Sequence, residues 1–387
     1  MYLSSVDLVD FRSWPSLHVE MGQGVTAFIG SNGQGKTNIV EAICYTATLS
    51  SHRVSTDAPL IREGKTAAKI STHAVNNQRE LTTHLLINQG KANQAQINRA
   101  RCKTPRELLG IVKTVLFAPE DLALVRGEPA QRRRYLDEII AYRRPQFLAI
   151  KAEYEKIIRQ RNAVLKARVA LDTLDIWDAQ LAHTGAILMA FRRHLTHELA
   201  PFISQAYREL APESRPATVE YRPTVEIPYS EDLDNEYLRS IESLLLEALK
   251  ENRQKEVDRG QSLIGPHRDD LELILGSQPA KGFASHGETW SFALALKIAT
   301  FYLLREDGTD PILILDDVFA ELDAKRRQAL TTIIATAEQV LITAAVNEDL
   351  PEEFLNQATI HHVRAIPDPE GDEHARVSLL DSEQSNE

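Results

Sequence analysis

Hydrophobic and polar positions change rhythm along the chain, and each change predicts a different architecture. Over the first 29 residues they alternate as in half-buried strands, at Tyr2–Phe11, Leu17–Met21 and Val25–Ile29, with Trp14-Pro15 as a break. A helical run follows from Asn38 to Thr48. Alternation then returns over Ala67–Val75, Leu81–Asn88 and Ala95–Asn98, before an apolar run, Val112–Phe117. From Ala130 to about Gln254 the apolar residues sit at helical spacing, as in Tyr154, Ile157, Ile158, Val164 and Leu165. That stretch predicts helices interrupted at Pro145, Pro201 and Pro212, with a strand near Ala217–Tyr221. No heptad persists, so a compact helical lobe is expected rather than a long coiled coil.

Past Gly265 the pattern predicts a strand (Leu271–Leu275), a helix (Thr289–Arg305) and the most apolar short run of the chain, Ile312-Leu313-Ile314-Leu315. A continuous run of this kind suits a strand buried on both faces of a parallel sheet. A helix (Ala324–Thr336), a strand (Gln339–Thr343) and a strand pair (Ile360–Ala365, Ala375–Leu379) complete the reading. The fold class is therefore α/β, with mixed sheets and flanking helices carrying an inserted, mainly helical lobe. The boundaries fall at residues 1–128, 129–258 and 259–381, with a disordered tail at 382–387.

Composition narrows the class. The chain has 387 residues, 43% hydrophobic and 26% charged, typical of a soluble globular protein with room for two or three domains. No apolar run reaches membrane-span length and no leader-like segment opens the chain, so a cytoplasmic protein without membrane partners is expected. Cys44 and Cys102 suggest neither a disulfide framework nor a zinc site. A net charge of −11 argues against a nucleic-acid binder until its distribution is considered. Arg126 to Arg168 holds twelve Lys/Arg against five Asp/Glu, whereas residues 367–387 hold seven acids and one Arg. An acidic protein can still offer a basic face to phosphates.

Candidate chemistry begins at Gly30-Ser31-Asn32-Gly33-Gln34-Gly35-Lys36-Thr37, between a predicted strand and a predicted helix opening at Asn38. It matches the phosphate-binding G-x-x-x-x-G-K-[ST] loop at every fixed position. Its glycines let backbone N–H groups curl round a triphosphate at the positive end of a helix. Lys36 then reaches the outer phosphates and the Thr37 hydroxyl holds Mg²⁺, which predicts an ATP or GTP site. Asp316 ends the apolar strand and suits the metal carboxylate, while Asp317 suits polarisation of the attacking water.

These two halves lie some 280 residues apart across the helical insertion. In that, the chain resembles the ATP-binding-cassette group, in which a signature turn precedes the second half-site. Here the turn is Ala284-Ser285-His286-Gly287-Glu288-Thr289, and Ser285, Gly287 and the helix start suit a γ-phosphate brought by a second subunit. Further passages make the resemblance specific: Asp10-Phe11-Arg12, Phe117 to Leu122, Arg132-Arg133-Arg134-Tyr135-Leu136-Asp137, Gly265-Pro266-His267-Arg268-Asp269-Asp270, and Leu315 to Asp323. Together they resemble the RecF family of bacterial DNA replication and repair proteins, relatives of the SMC-type ATPases with a short helical lobe.

The resemblance implies an ABC-type ATPase head and an ATP-dependent homodimer with slow, DNA-stimulated hydrolysis. It also implies action on gapped duplex DNA with RecO and RecR, loading of RecA, and SOS induction. Each composite site would pair Lys36, Thr37, Asp316 and Asp317 with Ser285 and Gly287 of the other subunit. Arg12 matches a nucleotide-contacting position, Asp323 a loop crossing the dimer interface, and Thr343 a γ-phosphate sensor that is usually His. His286 and Glu288 depart from the family's usual Gln at both places, and Glu288 brings negative charge near phosphate unless it turns away or pairs with a basic neighbour.

For DNA, the expected contacts are Arg132, Arg133 and Arg134, with Lys91, Arg99, Arg101 and Lys103. Helix-surface pairing of Arg133 and Arg134 with Asp137 and Glu138 is the competing reading. His267 and Arg268 read either as props of the Gly265-Pro266 turn or as ligand contacts.

Overall fold

The computed structural model describes residues 1–168, 171–369 and 375–381, so the expected tail at 382–387 lies outside the described residues. In chain order the strands and helices begin with β1 (Tyr2–Phe11), β2 (Trp14–Glu20), β3 (Gly24–Ile29), α1 (Lys36–Thr48), β4 (Ala67–Asn76) and β5 (Arg79–Asn88). Next come β6 (Gln94–Ile97), β7 (Ala100–Arg101), β8 (Thr114–Phe117), α2 (Leu122–Arg126), α3 (Pro129–Arg143), α4 (Phe147–Ala167), α5 (Leu174–Leu210), β9 (Ala217–Arg222) and α6 (Asn235–Arg259). The chain continues through β10 (Asp270–Leu275), β11 (Gln278–Pro279), α7 (Ala280–Phe283), α8 (His286–Glu306), β12 (Ile312–Asp316), α9 (Ala324–Ile334), β13 (Gln339–Ala344), α10 (Glu352–Leu355), β14 (Thr359–Pro367) and β15 (Arg376–Leu380).

The chain divides into two compact units. One comprises residues 1–121, 209–211 and 296–387, and the other residues 122–208 and 212–295. This division differs from the expected 129–258 insertion. The short sheet β11-β10-β9 and the signature turn fall with the helices, because β10 contacts α3 and α7.

The first unit holds two six-stranded sheets, one in the order β2-β1-β4-β5-β6-β7 and the other β15-β14-β3-β13-β12-β8. In the second sheet β14, β3, β13, β12 and β8 run parallel, with β15 antiparallel at the edge. Ile312–Asp316 and Gln339–Ala344 are buried throughout, as a strand covered on both faces requires. Helix α1 contacts both sheets, touching β1 and β4 on one side and β13, β12 and β8 on the other. Its apolar run from Ile39 to Ala47 is accordingly buried almost all round. Trp14 and Pro15 do not break the chain but open β2, where Trp14 pairs with Phe11 across a tight hairpin.

In the second unit α5 runs through Pro201 without ending. Leu195, Leu199, Ile203, Ala206, Tyr207 and Leu210 are all buried along it, and that burial outweighs the ~3 kcal/mol a mid-helix proline costs. The motif at 265–270 is tied into the fold by its side chains. The His267 ring lies between Tyr154 Oη (2.7 Å) and the Ser262 carbonyl (3.2 Å), and Arg268 donates to Ser262 and Gln261. A buried cluster props the same unit, with Arg161 on Asp178, Glu256 and Ser262, and Arg192 on Asp137 and the Pro266 carbonyl. No helix among the described residues is long and apolar enough to cross a membrane.

Candidate nucleotide site

The C-terminal ends of the parallel strands converge on one edge of the sheet, where α/β folds place ligands. The glycine loop leaves β3, Asp316 and Asp317 end β12, Thr343 lies in β13 between them, and Ala118–Asp121 follows β8. Residues some 280 positions apart in the chain thus become one constellation.

Its centre is a set of three side chains. Asp316 Oδ1 accepts from Thr37 Oγ1 (2.9 Å) and from Thr343 Oγ1 (2.6 Å), while the Thr343 oxygen accepts the Asp317 N–H (2.9 Å). Burial pushes the Asp316 carboxyl up to about 6, tempered by the two threonine hydrogen bonds and reinforced by the charges of Asp317 and Glu120. A buried carboxylate raised in this way gains from a cation beside it. The donors here, a hydroxyl and a carboxylate, are the hard oxygens that Mg²⁺ takes together with water and phosphate. No cluster of three or more His, Cys, Asp or Glu suited to a metal exists among the described residues, so an all-protein metal cage is not formed here. Asp317 adopts a left-handed conformation (φ 52°), which turns it out of the strand direction set by Asp316.

The loop itself is held from the far end of the chain. Gly35 has φ 104°, and a Cβ there would lie 2.2 Å from Ser378 Oγ; a Cβ on Gly30 would lie 2.1 Å from the Val363 carbonyl oxygen. Trp14 Nε1 donates to the Gly35 carbonyl at 3.1 Å, and the Ala365 N–H donates to Gln34 Oε1. A hydroxyl chain closes the clamp: Asn38 Nδ2 donates to Ser13 Oγ, Ser13 lies 2.6 Å from Ser378 Oγ, and Ser378 donates to the Gln34 carbonyl. Lys36 is buried, its ammonium on the carbonyls of Gly30 (2.6 Å) and Ser31 (3.2 Å). Ser31, Asn32 and Gly33 form the exposed crest of the loop. Sequence reasoning missed Ser13, Trp14, Val363 and Ser378, which carry no local motif.

Arg12 lies close by but has its own partners. Its guanidinium makes a two-point pair with Glu41 (2.6 and 2.8 Å) and donates to the Pro59 carbonyl. Burial alone would raise Glu41, but the hydrogen bonds of Arg12 and Ser51 and the charges of Arg12 and Arg53 hold it below the usual carboxylate range.

The signature turn lies in the second unit. Ser285 is the N-cap of α8 and Glu288 its reciprocal partner: the Ser285 N–H donates to Glu288 Oε2 (2.9 Å), and the Glu288 N–H donates to Ser285 Oγ (3.2 Å). Gly287 stands in the first turn of that helix. Glu288 does pair with a basic neighbour, Arg215, at 3.0 Å. Asp323 caps α9 through the Arg326 N–H (2.9 Å), which holds its carboxyl below the ordinary range.

The expected DNA contacts separate. Arg132 is a correction: it is buried, paired at two points with Asp270 (2.7 and 2.8 Å), and donates to the carbonyls of Leu124 and Gly127, so nothing of it faces a phosphate. Arg133 is half-buried on the Asp269 carbonyl, and burial lowers its guanidinium. Arg134 is exposed and paired with Glu138 at i,i+4. Arg99, Arg101 and Lys103 are all exposed, around the β6–β7 turn of the first unit.

With this geometry established, comparison with known proteins gives consistent results. The RecF/RecN/SMC N terminal domain matches residues 2–364. The DNA replication and repair protein RecF of Rhodococcus erythropolis (strain PR4) is 52% identical over 379 residues, 92% of each chain. The solved structure of the recombination mediator protein RecF with ATPrS in the RecFOR pathway superposes with a TM-score of 0.83 at 24% identity, over 93% of this chain and 95% of that one. An Smc head bound to the C-winged helix domain of ScpA superposes at 0.55 and 16% identity, over 99% and 98%. At these identities the two structures attest the fold.

Proposed function

Because this chain belongs to the RecF family of SMC-type ATPases, we propose that it is an ATP-dependent DNA-binding protein of replication and recombinational repair. The observation that carries this reading is the bridge from Thr37 through Asp316 to Thr343, which joins the phosphate loop to the metal carboxylate. Lys36 leaves the Gly30 and Ser31 carbonyls for the outer phosphates of ATP, whose oxygens replace those acceptors. Thr37 and Asp316 would hold Mg²⁺, which would supply charge neutralisation to the triphosphate. Asp317 polarises the attacking water.

The other half of each site comes from a second copy, through Ser285, Gly287 and the loop at Asp323, so ATP binding drives homodimerisation. Hydrolysis is slow and DNA stimulates it. The relative's name speaks of DNA replication and repair, which supports the role; by resemblance to its family the protein acts in the cytoplasm with RecO and RecR at gapped duplex DNA. RecA loading and SOS induction follow from that role.

The duplex contact begins at Arg99, Arg101 and Lys103, with Lys91 and Arg106 also exposed along the β6–β7 edge of the sheet. Sedimentation of the protein with and without ATP and Mg²⁺, repeated with Lys36→Met, tests the reading. A dimer that forms only with ATP and is lost in the variant is expected. A monomer at saturating nucleotide, indifferent to DNA at low salt, overturns it.

A further inference from the structure

The signature turn departs from its family's pattern at His286 and Glu288, and an arginine stands against each. Arg126 Nη2 lies 3.2 Å from His286 Nδ1 and 3.4 Å from Thr289 Oγ1. Arg215, in the segment before β9, donates from Nε (3.2 Å) and Nη2 (3.0 Å) to Glu288 Oε1, which also takes the Ser214 hydroxyl. Ser214 is in turn 3.0 Å from Tyr207 Oη, so the pair is anchored to a buried aromatic of α5.

The electrostatic problem is specific. Glu288 Oε2 holds the Ser285 N–H at the positive end of α8, one of the groups a γ-phosphate would approach. That hydrogen bond, and then the Arg215 charge, keep Glu288 ionised. A full negative charge therefore stands a few ångströms from where several more must arrive.

We propose that Arg215 is a positioning residue of the composite ATP site: it cancels the Glu288 charge and holds that carboxylate in its capping pose, so that the signature turn of one copy can accept the γ-phosphate bound by the other. The inference rests on the composite-dimer reading above. Arg215 suits the task because its Nη1 group makes no hydrogen bond among the described residues and its side chain is 40% exposed, so it can shift toward an incoming anion without first breaking its hold on Glu288.

The test is a four-member cycle: wild type, Arg215→Ala, Glu288→Gln and the double variant. Each is assayed for binding of a fluorescent ATP analogue to the monomer and for ATP-driven dimerisation by sedimentation. Arg215→Ala is expected to bind nucleotide like wild type and to dimerise about tenfold more weakly, the combined size of one uncompensated charge at each of the two composite sites. Glu288→Gln, which keeps an amide oxygen for the Ser285 N–H, is expected to dimerise at least as well as wild type. The double variant is expected to return to within about twofold of Glu288→Gln, because a charge that is absent needs no partner. A merely structural Arg215 would not be rescued by removing the charge it faces. Unchanged dimerisation of Arg215→Ala, or a double variant as weak as Arg215→Ala, overturns the inference. A wild type that stays monomeric with ATP and Mg²⁺ overturns instead the dimer reading beneath it.

Discussion

The Arg132 guanidinium clasps the Asp270 carboxylate at two points, 2.7 and 2.8 Å, and so joins the helix of one motif to the strand that follows another. Arg132 is 5% exposed, and the same side chain satisfies two helix-end carbonyls. Removing Arg132 leaves a half-buried Asp270 carboxylate without its partner and two backbone carbonyls without a donor. Arg132→Ala should therefore lower the stability of the lobe by about 2 kcal/mol in chemical denaturation. Once corrected for folded fraction, DNA affinity and its salt dependence should stay as in wild type.

The exposed arginines make the opposite prediction. Among the described residues Arg99 and Lys103 form no ion pair, and Arg101 donates only to Gln94 at 3.3 Å. Replacing Arg99, Arg101 and Lys103 together by Ala should leave the melting temperature within a degree or two and weaken duplex binding in the presence of ATP. If each side chain meets a phosphate, the slope of log affinity against log salt should fall by about 2.7 per protomer, at roughly 0.9 per contact. An unchanged slope would move the DNA surface elsewhere.

Thr343 offers a test of the site that leaves nucleotide binding in place. Its hydroxyl donates to Asp316 and accepts from the Asp317 N–H, so it sets both carboxylate residues at once. Thr343→Val is nearly isosteric but strands that N–H and one Asp316 lone pair. A stability loss of about 1–3 kcal/mol is expected, with turnover reduced well beyond any change in ATP affinity. Thr343→Ser should recover most of both. Equal turnover of the Val variant would show that the bridge positions nothing.

What could be read from the sequence follows from how local each cause is. The glycine loop, α1 and β12 were legible because hydrophobic rhythm and turn chemistry act over a few residues: Ile312–Leu315 could be little other than a doubly covered strand. The pairing of Thr37 with Asp316 was legible because the phosphate loop and the carboxylate ending the apolar strand both suit one Mg²⁺. Pro201 misled, since the helix penalty is local while the burial that overrides it comes from the fold. Arg132 misled for a similar reason. Three consecutive arginines look alike in a sequence, and only the position of Asp270 sets one inward. The Ser13–Ser378 clamp was invisible, with 365 residues between two serines of no distinguishing context.

The half-buried His267 gives the second unit a defined response to acid. Its Nδ1 faces the Tyr154 hydroxyl and its Nε2 the Ser262 carbonyl, an arrangement that suits the neutral ring, with Nε2 donating and Nδ1 accepting. Burial pulls its pKa down from 6.5 to about 4; the Ser262 carbonyl opposes this and the charges of Arg268, Arg133 and Arg161 add to it. Between those values the unfolded chain binds a proton that the folded chain refuses, so stability rises with pH across this window and is lost on acidification. The contribution is fully present above about pH 6.5 and falls by about 1.4 kcal/mol per pH unit below it, about 3 kcal/mol by pH 4. Asp269, raised by burial in the same unit, works in the opposite sense, whereas Asp175 and Glu288, lowered by Arg253 and by the Ser285 N–H, work in the same sense. His267→Gln isolates the histidine, because an amide can accept from Tyr154 and donate to Ser262 without titrating. Denaturation of the two proteins from pH 7.5 to pH 4.5 should give a constant difference at the upper end that shifts steadily in favour of the Gln variant below pH 6.5. Parallel curves throughout would mean that the ring takes up its proton in the folded state as readily as in the unfolded one.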